Sequence, residues 1–230
     1  MAEPALSWKD CCLAAGPDAS VQIPDFELLQ GRSALAFHPH SDVLRGLVAR
    51  CSAVELSGPG NFFWQGRAAP KCGRLGARLD LFGSIALVDS RSQFFYGRSL
   101  IENMCLDMEY NQGLFNREAS RLAMELLNLL GLSDLAQIEA AELVGPERGL
   151  GLMAMAISRK PRLFILDRPI GLIGRNGFQT AWNVIKDELA LGGSAALVLD
   201  YAPEGAYVQN DIDDVIDLGS RNFTDGGQSP

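Results

Sequence analysis

The sequence predicts an α/β fold built on a mainly parallel sheet, and three observations lead there. Short, wholly apolar runs at Leu163–Leu166 and Ala195–Leu199 read as strands buried on both faces. Stretches of helical period lie between such runs, which is the sequence pattern of α/β layers. The 230 residues, 47% hydrophobic with a mean hydropathy of +0.06, supply enough apolar material for a substantial core and exclude a disordered chain.

The first third of the chain carries few clear signals. Ser33–Phe37, Asn61–Gln65 and Ser84–Val88 are expected strands, and Ala68–Ala77, with Pro70, Gly73 and Gly76, an expected loop. From Ser99 onward helix and strand signals alternate. Asn116, Arg117 and Glu118 start a helix whose Ala119, Leu122, Ala123, Leu126, Leu127 and Leu130 share one face up to Gly131. Glu118, Arg121, Glu125 and Asn128 fill the other face, so the apolar stripe turns inward. Ser133 caps a second short helix. Pro146–Ile157 is apolar nearly all round, which suits a helix enclosed by other elements. The strand Leu163–Leu166 ends at Asp167, with Pro169 two residues on. Asn176 then opens a helix with Phe178, Ala181, Trp182, Ile185 and Leu189 on one face, closed by Gly192 and Gly193. Ala195–Leu199 and Val215–Leu218 are the last strands, and the polar tail from Gly219 to Pro230 is expected to be loosely held.

Twenty Lys and Arg against twenty-eight Asp and Glu leave a net charge of -8, which repels phosphate backbones and argues against nucleic acid as a partner. No apolar run approaches the roughly eighteen residues of a membrane span. The start of the chain carries Glu3 and no apolar signal core, so a cytosolic protein is expected. Five cysteines without a CxxC pair read as free thiols, with Cys11 and Cys12 expected as one packed and one exposed.

Three phrases carry a family resemblance. SLIENMCLDMEYNQGLFNREASRLAMELLNLLGL, AELVGPERGLGLMAMAISRKPRLFILDRP and AALVLDY resemble, in order and spacing, three segments of the nucleotide-binding subunits of ATP-binding-cassette (ABC) transporters. These are the segment after the Q-loop, the signature helix with its Walker B strand, and the strand ending at the switch histidine. The resemblance implies one ABC cassette over residues 1–218, with a helical subdomain over about 99–157. It also implies head-to-tail pairing of cassettes, with ATP held between the Walker motifs of one and the signature of the other.

The family's working residues do not carry over. After the strand ending at Phe37 the chain reads HPHSDVLRGLV where a glycine-rich phosphate loop belongs. His38, Ser41 and Val43 stand for three glycines, Leu44 for the lysine, and Arg45 and Gly46 for the residues after it. That chemistry needs inward-turned amides, an ammonium on the β and γ oxygens and a hydroxyl on Mg²⁺. No lysine in the chain follows a glycine, so no substitute loop exists, and the look-alike Gly60–Gly66 reads as a strand between turns. In the signature, Leu143, Val144, Gly145, Pro146 and Glu147 replace LSGGQ, and Glu147 would repel a γ-phosphate. Asp167 keeps the Walker B position, but Arg168 stands for the catalytic glutamate and stays protonated. Ser90 stands for the Q-loop glutamine, Tyr201 for the switch histidine, and Gly171–Gly174 for the D-loop.

The reading that follows is an inactive cassette subunit acting as a structural or regulatory part of a transport assembly, of importer or lipid-related type. It expects no catalytic residue and no cofactor; ATP with Mg²⁺ belongs only to a divergent ATPase in which Arg45 or Arg67 replaces the lysine. Asp167 is the one candidate for Mg²⁺, and Arg168 beside it can neutralise that site by pairing with it. A permease subunit, a second cassette or both are the expected partners, holding the chain peripherally on the cytoplasmic face of a membrane. A soluble interaction module is the third reading. Phe94, Phe95 and Tyr96 are candidates for permease docking or for packing. Phe62, Phe63 and Trp64 are expected in a strand interior and Trp182 in the core, while His38 and His40, with no third ligand nearby, are expected to fill a loop.

Overall fold

The computed structural model describes residues 4–16, 19–52, 60–68, 84–202, 212–219 and 223–224. In chain order the strands are β1 (Pro4–Lys9), β2 (Cys12–Ala14), β3 (Ser20–Gln22), β4 (Phe26–Leu29), β5 (Ser33–Phe37), β6 (Asn61–Trp64), β7 (Arg67–Ala68), β8 (Ile85–Val88), β9 (Leu163–Asp167), β10 (Ala195–Asp200), β11 (Asp214–Asp217) and β12 (Phe223–Thr224). The α-helices are α1 (Ser41–Cys51), α2 (Leu100–Gln112), α3 (Asn116–Leu129), α4 (Gly145–Ser158) and α5 (Pro169–Ala190).

A five-stranded parallel sheet in the order β11-β5-β10-β9-β8 forms the centre. Strand periodicity divides its side chains between two cores. Ala34, Ala36, Leu163, Ile165, Ala195, Leu197 and Leu199 face α1 and the N-terminal strands. Leu35, Ala86, Val88, Phe164, Leu166, Ala196 and Val198 face α2 to α5. Both faces are therefore dry, which is why these strands read as unbroken apolar runs. Each large aliphatic side chain so buried contributes roughly 1.5–3 kcal/mol.

Two smaller antiparallel sheets, β4-β1-β6-β7 and β12-β3-β2, complete the fold, and of their strands only β6 was expected, as Asn61–Gln65. Trp8 of β1 lies between Phe26 and Phe62, with ring centroids 5.0 and 5.9 Å apart. Phe62 and Trp64 are buried and Phe63 half-buried, in a strand as expected. Gln65 and Gly66 turn β6 into β7, so the Gly60–Gly66 stretch is half of a hairpin. Residues 69–77 of the expected loop lie outside the described residues. Cys11 is buried and Cys12 half-buried, both free.

The expected helix from Asn116 and the strands from Ile85, Leu163, Ala195 and Asp214 stand within a residue or two of their predicted ends. Ser133 heads only a single 3₁₀ turn, Ser133–Leu135. α2 opens on a capping box in which Ser99 and Glu102 each satisfy the other's backbone amide. α5 begins seven residues before Asn176, at Pro169, and is broken by Gly174 at φ 70° and ψ 170°, so the helix foreseen from Asn176 is its second part. Trp182 is buried in it, stacked on Phe178 at 5.5 Å. In the tail, Phe223–Thr224 pairs antiparallel with β3, so those two residues are tied to the fold.

Candidate functional site

The C-terminal ends of β5, β9 and β10 lie side by side, with Phe37 opposite Asp200 and Asp167 opposite Leu199. In a parallel α/β sheet, ligands bind beyond this edge. A cavity of about 360 Å³ opens there, lined by Ser41, Leu44, Arg45, Ser90, Asp167, Arg168 and Tyr201, together with Val48 and Arg91. Those first seven residues are scattered over 160 positions of sequence, and the fold brings them to one place.

The connection leaving β5 differs from the expected loop. Only His38, Pro39 and His40 separate β5 from α1, and the helix starts at Ser41, running through the stretch read as a degenerate phosphate loop. Val43, Leu44, Leu47, Val48 and Cys51 recur at helical spacing, and all are buried against the N-terminal core. This apolar period is the signal that motif alignment passed over. Leu44 is only 2% exposed, so its side chain belongs to the core as well as to the cavity wall. Arg45 points to the surface and pairs with Asp42 one helical turn away. Gly46 faces Leu13, where an added Cβ would lie 3.7 Å from Leu13 Cδ2.

His38 is fully buried and lines no part of the cavity. Its Nδ1 accepts the His40 amide at 3.0 Å, and its own amide donates to the Asp200 carbonyl at 3.2 Å. Burial pushes the imidazole pKa down, and a charge on His40 adds to the effect. Among the described residues no group of three or more His, Cys, Asp or Glu side chains is placed to hold a metal ion.

Asp167 and Arg168 dominate the floor. Asp167 is 8% exposed, and Arg168 grips both its oxygens, Nε to Oδ1 and Nη2 to Oδ2, each at 2.9 Å. Arg168 Nη1 also donates to Tyr201 Oη at 2.6 Å, and its guanidinium carbon lies 5.2 Å from the centre of the Tyr201 ring. Hydrogen bonding to Asp167, above all, raises the Arg168 pKa further, so the guanidinium is permanently charged. Next to it, burial pushes the Asp200 carboxyl up, opposed by the Tyr201 amide that it accepts at 2.7 Å.

Ser90 follows Asp89, a buried carboxylate that accepts the Arg91 amide and guanidinium at 3.0 Å and the Ser92 hydroxyl at 3.0 Å. Arg148 Nη2 from α4 donates to the Ser92 carbonyl at 2.7 Å, joining this loop to the signature helix. Asn103, fully buried, holds the rest of the loop. Its Oδ1 accepts the Phe95 amide at 2.6 Å, and its Nδ2 donates to the carbonyls of Phe95, Arg98 and Ser99. Neither Asp89 nor Asn103 was singled out from sequence, although Asn103 belongs to the first of the three family-like stretches, SLIENMC. Of the docking candidates, Phe94 packs against the helical core, while Phe95 and Tyr96 are 51% and 91% exposed.

The signature positions line none of this cavity. Leu143 is buried, Val144 caps α4 with no side-chain bond, and Gly145, Pro146 and Glu147 form an exposed first turn. The D-loop counterpart Gly171–Gly174 makes the first part of α5, and α4 approaches it closely. A Cβ on Gly149 would lie 2.3 Å from Ile173 Cγ2 and 2.8 Å from the Leu172 carbonyl oxygen.

Solved structures with this architecture include ABC-transporter cassettes. One is cbiO1 from Clostridium perfringens, part of the ABC transporter complex cbiONQ, with a TM-score of 0.75 and 14% identity over 94% of this chain and 86% of that one. Another is the dimeric cassette MJ0796 bound to ADP and Pi, with a TM-score of 0.76 and 12% identity over 97% and 100%. Among curated proteins, the phosphonates import ATP-binding protein PhnC 2 of Pseudomonas savastanoi pv. phaseolicola is 25% identical over 174 residues, 70% of this chain. The match spans 62% of that relative's length, less than two thirds. The taurine import ATP-binding protein TauB of Rhizobium johnstonii is 33% identical over 76 residues, 33% of this chain and 29% of its own. No family model matches the chain.

Proposed function

We propose that this chain, which has the α/β fold of an ABC-transporter ATP-binding cassette, is a cassette subunit of an importer-type assembly that does not itself hydrolyse ATP. One observation carries the proposal: α1 starts three residues after β5 and buries Leu44 where the phosphate-gripping lysine belongs. A core leucine there offers no charge to a triphosphate, and the glycines that would let the backbone approach the phosphates closely are replaced by His38, Ser41 and Val43. Arg45, the cation that a divergent ATPase would need, lines the cavity but is largely exposed and paired with Asp42, and Arg67 lies in β7, outside the cavity lining. The residues at the site therefore do not fit Mg²⁺ with ATP, and no catalytic step is assigned to them.

The importer reading rests on the phosphonate and taurine import proteins among the relatives. As such a subunit the chain would work beside a permease or a second, competent cassette, at the cytoplasmic face of a membrane. Among the described residues no helix is long and apolar enough to cross one. Two measurements test this. Purified chain should show no ATP turnover above that of its Asp167→Asn variant; turnover abolished by that substitution contradicts the proposal. Tagged chain expressed with the products of adjacent genes should co-purify with a permease in detergent; a soluble partner alone would favour a free interaction module.

A further inference from the structure

We infer that Arg168 is a resident cation, a guanidinium that takes the place of a divalent metal on Asp167 and, through Tyr201, clamps the ends of β9 and β10 across the cavity. The inference deepens the reading of an emptied nucleotide site and rests on it.

A carboxylate as buried as that of Asp167 is costly without a partner, and a hard divalent ion would have to take the same two oxygens that Arg168 now holds. The two Asp167 oxygens that receive Arg168 are the carboxylate donors a hard cation would use, while the neutral Tyr201 hydroxyl serves the guanidinium only as a third acceptor. The fork joins neighbouring residues, which an extended backbone does not permit. Arg168 instead sits at φ 50° and ψ 53°, left-handed and uncommon for a residue with a Cβ. Its amide donates to the Leu199 carbonyl at 2.8 Å, and its carbonyl accepts the Gly171 amide at 3.1 Å, so the turn is anchored to β10 and to α5. Strain of this kind persists where the surroundings over-determine it, and here the surroundings are the fork and the Tyr201 contact. The cavity thus keeps its shape with its own side chain as ligand.

The test uses the full chain, with Mn²⁺ as the probe. Arg168→Asn removes the cation while asparagine tolerates the left-handed backbone. The parent should bind Mn²⁺ weakly by electron paramagnetic resonance, and its melting temperature should ignore the metal. Arg168→Asn should melt lower without metal, bind Mn²⁺ about tenfold or more tighter than the parent, and recover stability as Mn²⁺ is added. Adding Asp167→Asn should remove that gain. Tyr201→Phe keeps the fork, so it should lower the melting temperature without opening the metal site. Should Arg168→Asn fail to fold, Arg168→Gly serves, since glycine takes the left-handed backbone without strain and carries no cation. Equal Mn²⁺ affinity in parent and variant, or no gain in either variant, overturns the inference. ATP turnover by the parent would defeat the functional reading yet leave the Mn²⁺ comparison to stand or fall by itself.

Discussion

Replacing Leu44 by lysine would return the phosphate-binding residue to its family position, and the structure predicts that it will weaken the fold without restoring binding. Leu44 is 2% exposed and packs in α1 against the N-terminal core. Losing that burial costs roughly 1.5–3 kcal/mol, and a partly desolvated ammonium adds to it, offset by the route that the adjoining cavity gives the amine to water. A net loss of about 2–4 kcal/mol is expected, which for a chain of this size lowers the melting temperature by about 5–15 °C. Calorimetric melts with and without Mg²⁺-ATP read both effects. The variant should melt lower, and nucleotide should not raise it, because α1 still runs through the loop position and Arg168 still holds Asp167. A variant as stable as the parent, further stabilised by about 2.7 kcal/mol at a hundredfold excess of ATP over its Kd, would refute the reasoning.

Three further outcomes follow from particular contacts. Burial lowers the His38 pKa below its ordinary 6.5, so the folded state binds fewer protons than the unfolded; the stability from neutral His38 is present above pH 6.5 and is lost as pH falls below it. Asp200, raised by burial, acts with the opposite sign, being relieved as it protonates, so Asp200→Asn should steepen the loss of stability on acidification in urea melts carried from neutral pH down to its ordinary 3.8. A shallower loss would contradict the assignment. Gly149→Ala places a methyl against Ile173 and the Leu172 carbonyl, and should cost about 1–3 kcal/mol in denaturant unfolding; a neutral result would mean that α4 and α5 can part. Asn103→Ala removes four hydrogen bonds to residues 95–99 and should cost about 2–4 kcal/mol, with faster hydrogen exchange at the Phe95 amide. Unchanged exchange there would show that the loop is held by other contacts.

The central sheet was legible because β9 and β10 are buried on both faces, which leaves an unbroken apolar run in the sequence. α1 was hidden by the opposite cause: its residues align with a phosphate loop, and the family pattern drew attention from the apolar period 43, 44, 47, 48 and 51 that sets the real structure. The N-terminal strands are three to six residues long; β1 finds its partners far along the chain, as Trp8 with Phe62 shows, and β2 and β3, which pair locally, have three residues each, too few to set up a readable alternation. The cavity wall could be drawn up from the resemblance, since Ser90, Asp167, Arg168 and Tyr201 each occupy a matched position. That Arg168 could pair with Asp167 was also readable. The left-handed backbone that shapes the fork, and the third bond to Tyr201, depend on tertiary contacts with β10.

Equilibrium nucleotide binding is the most direct measure of whether a triphosphate finds any hold in this cavity. Isothermal titration of the purified chain with ATP and Mg²⁺ should give no saturable heat up to millimolar nucleotide. Saturable micromolar binding that disappears in an Asp167→Asn variant would contradict the account.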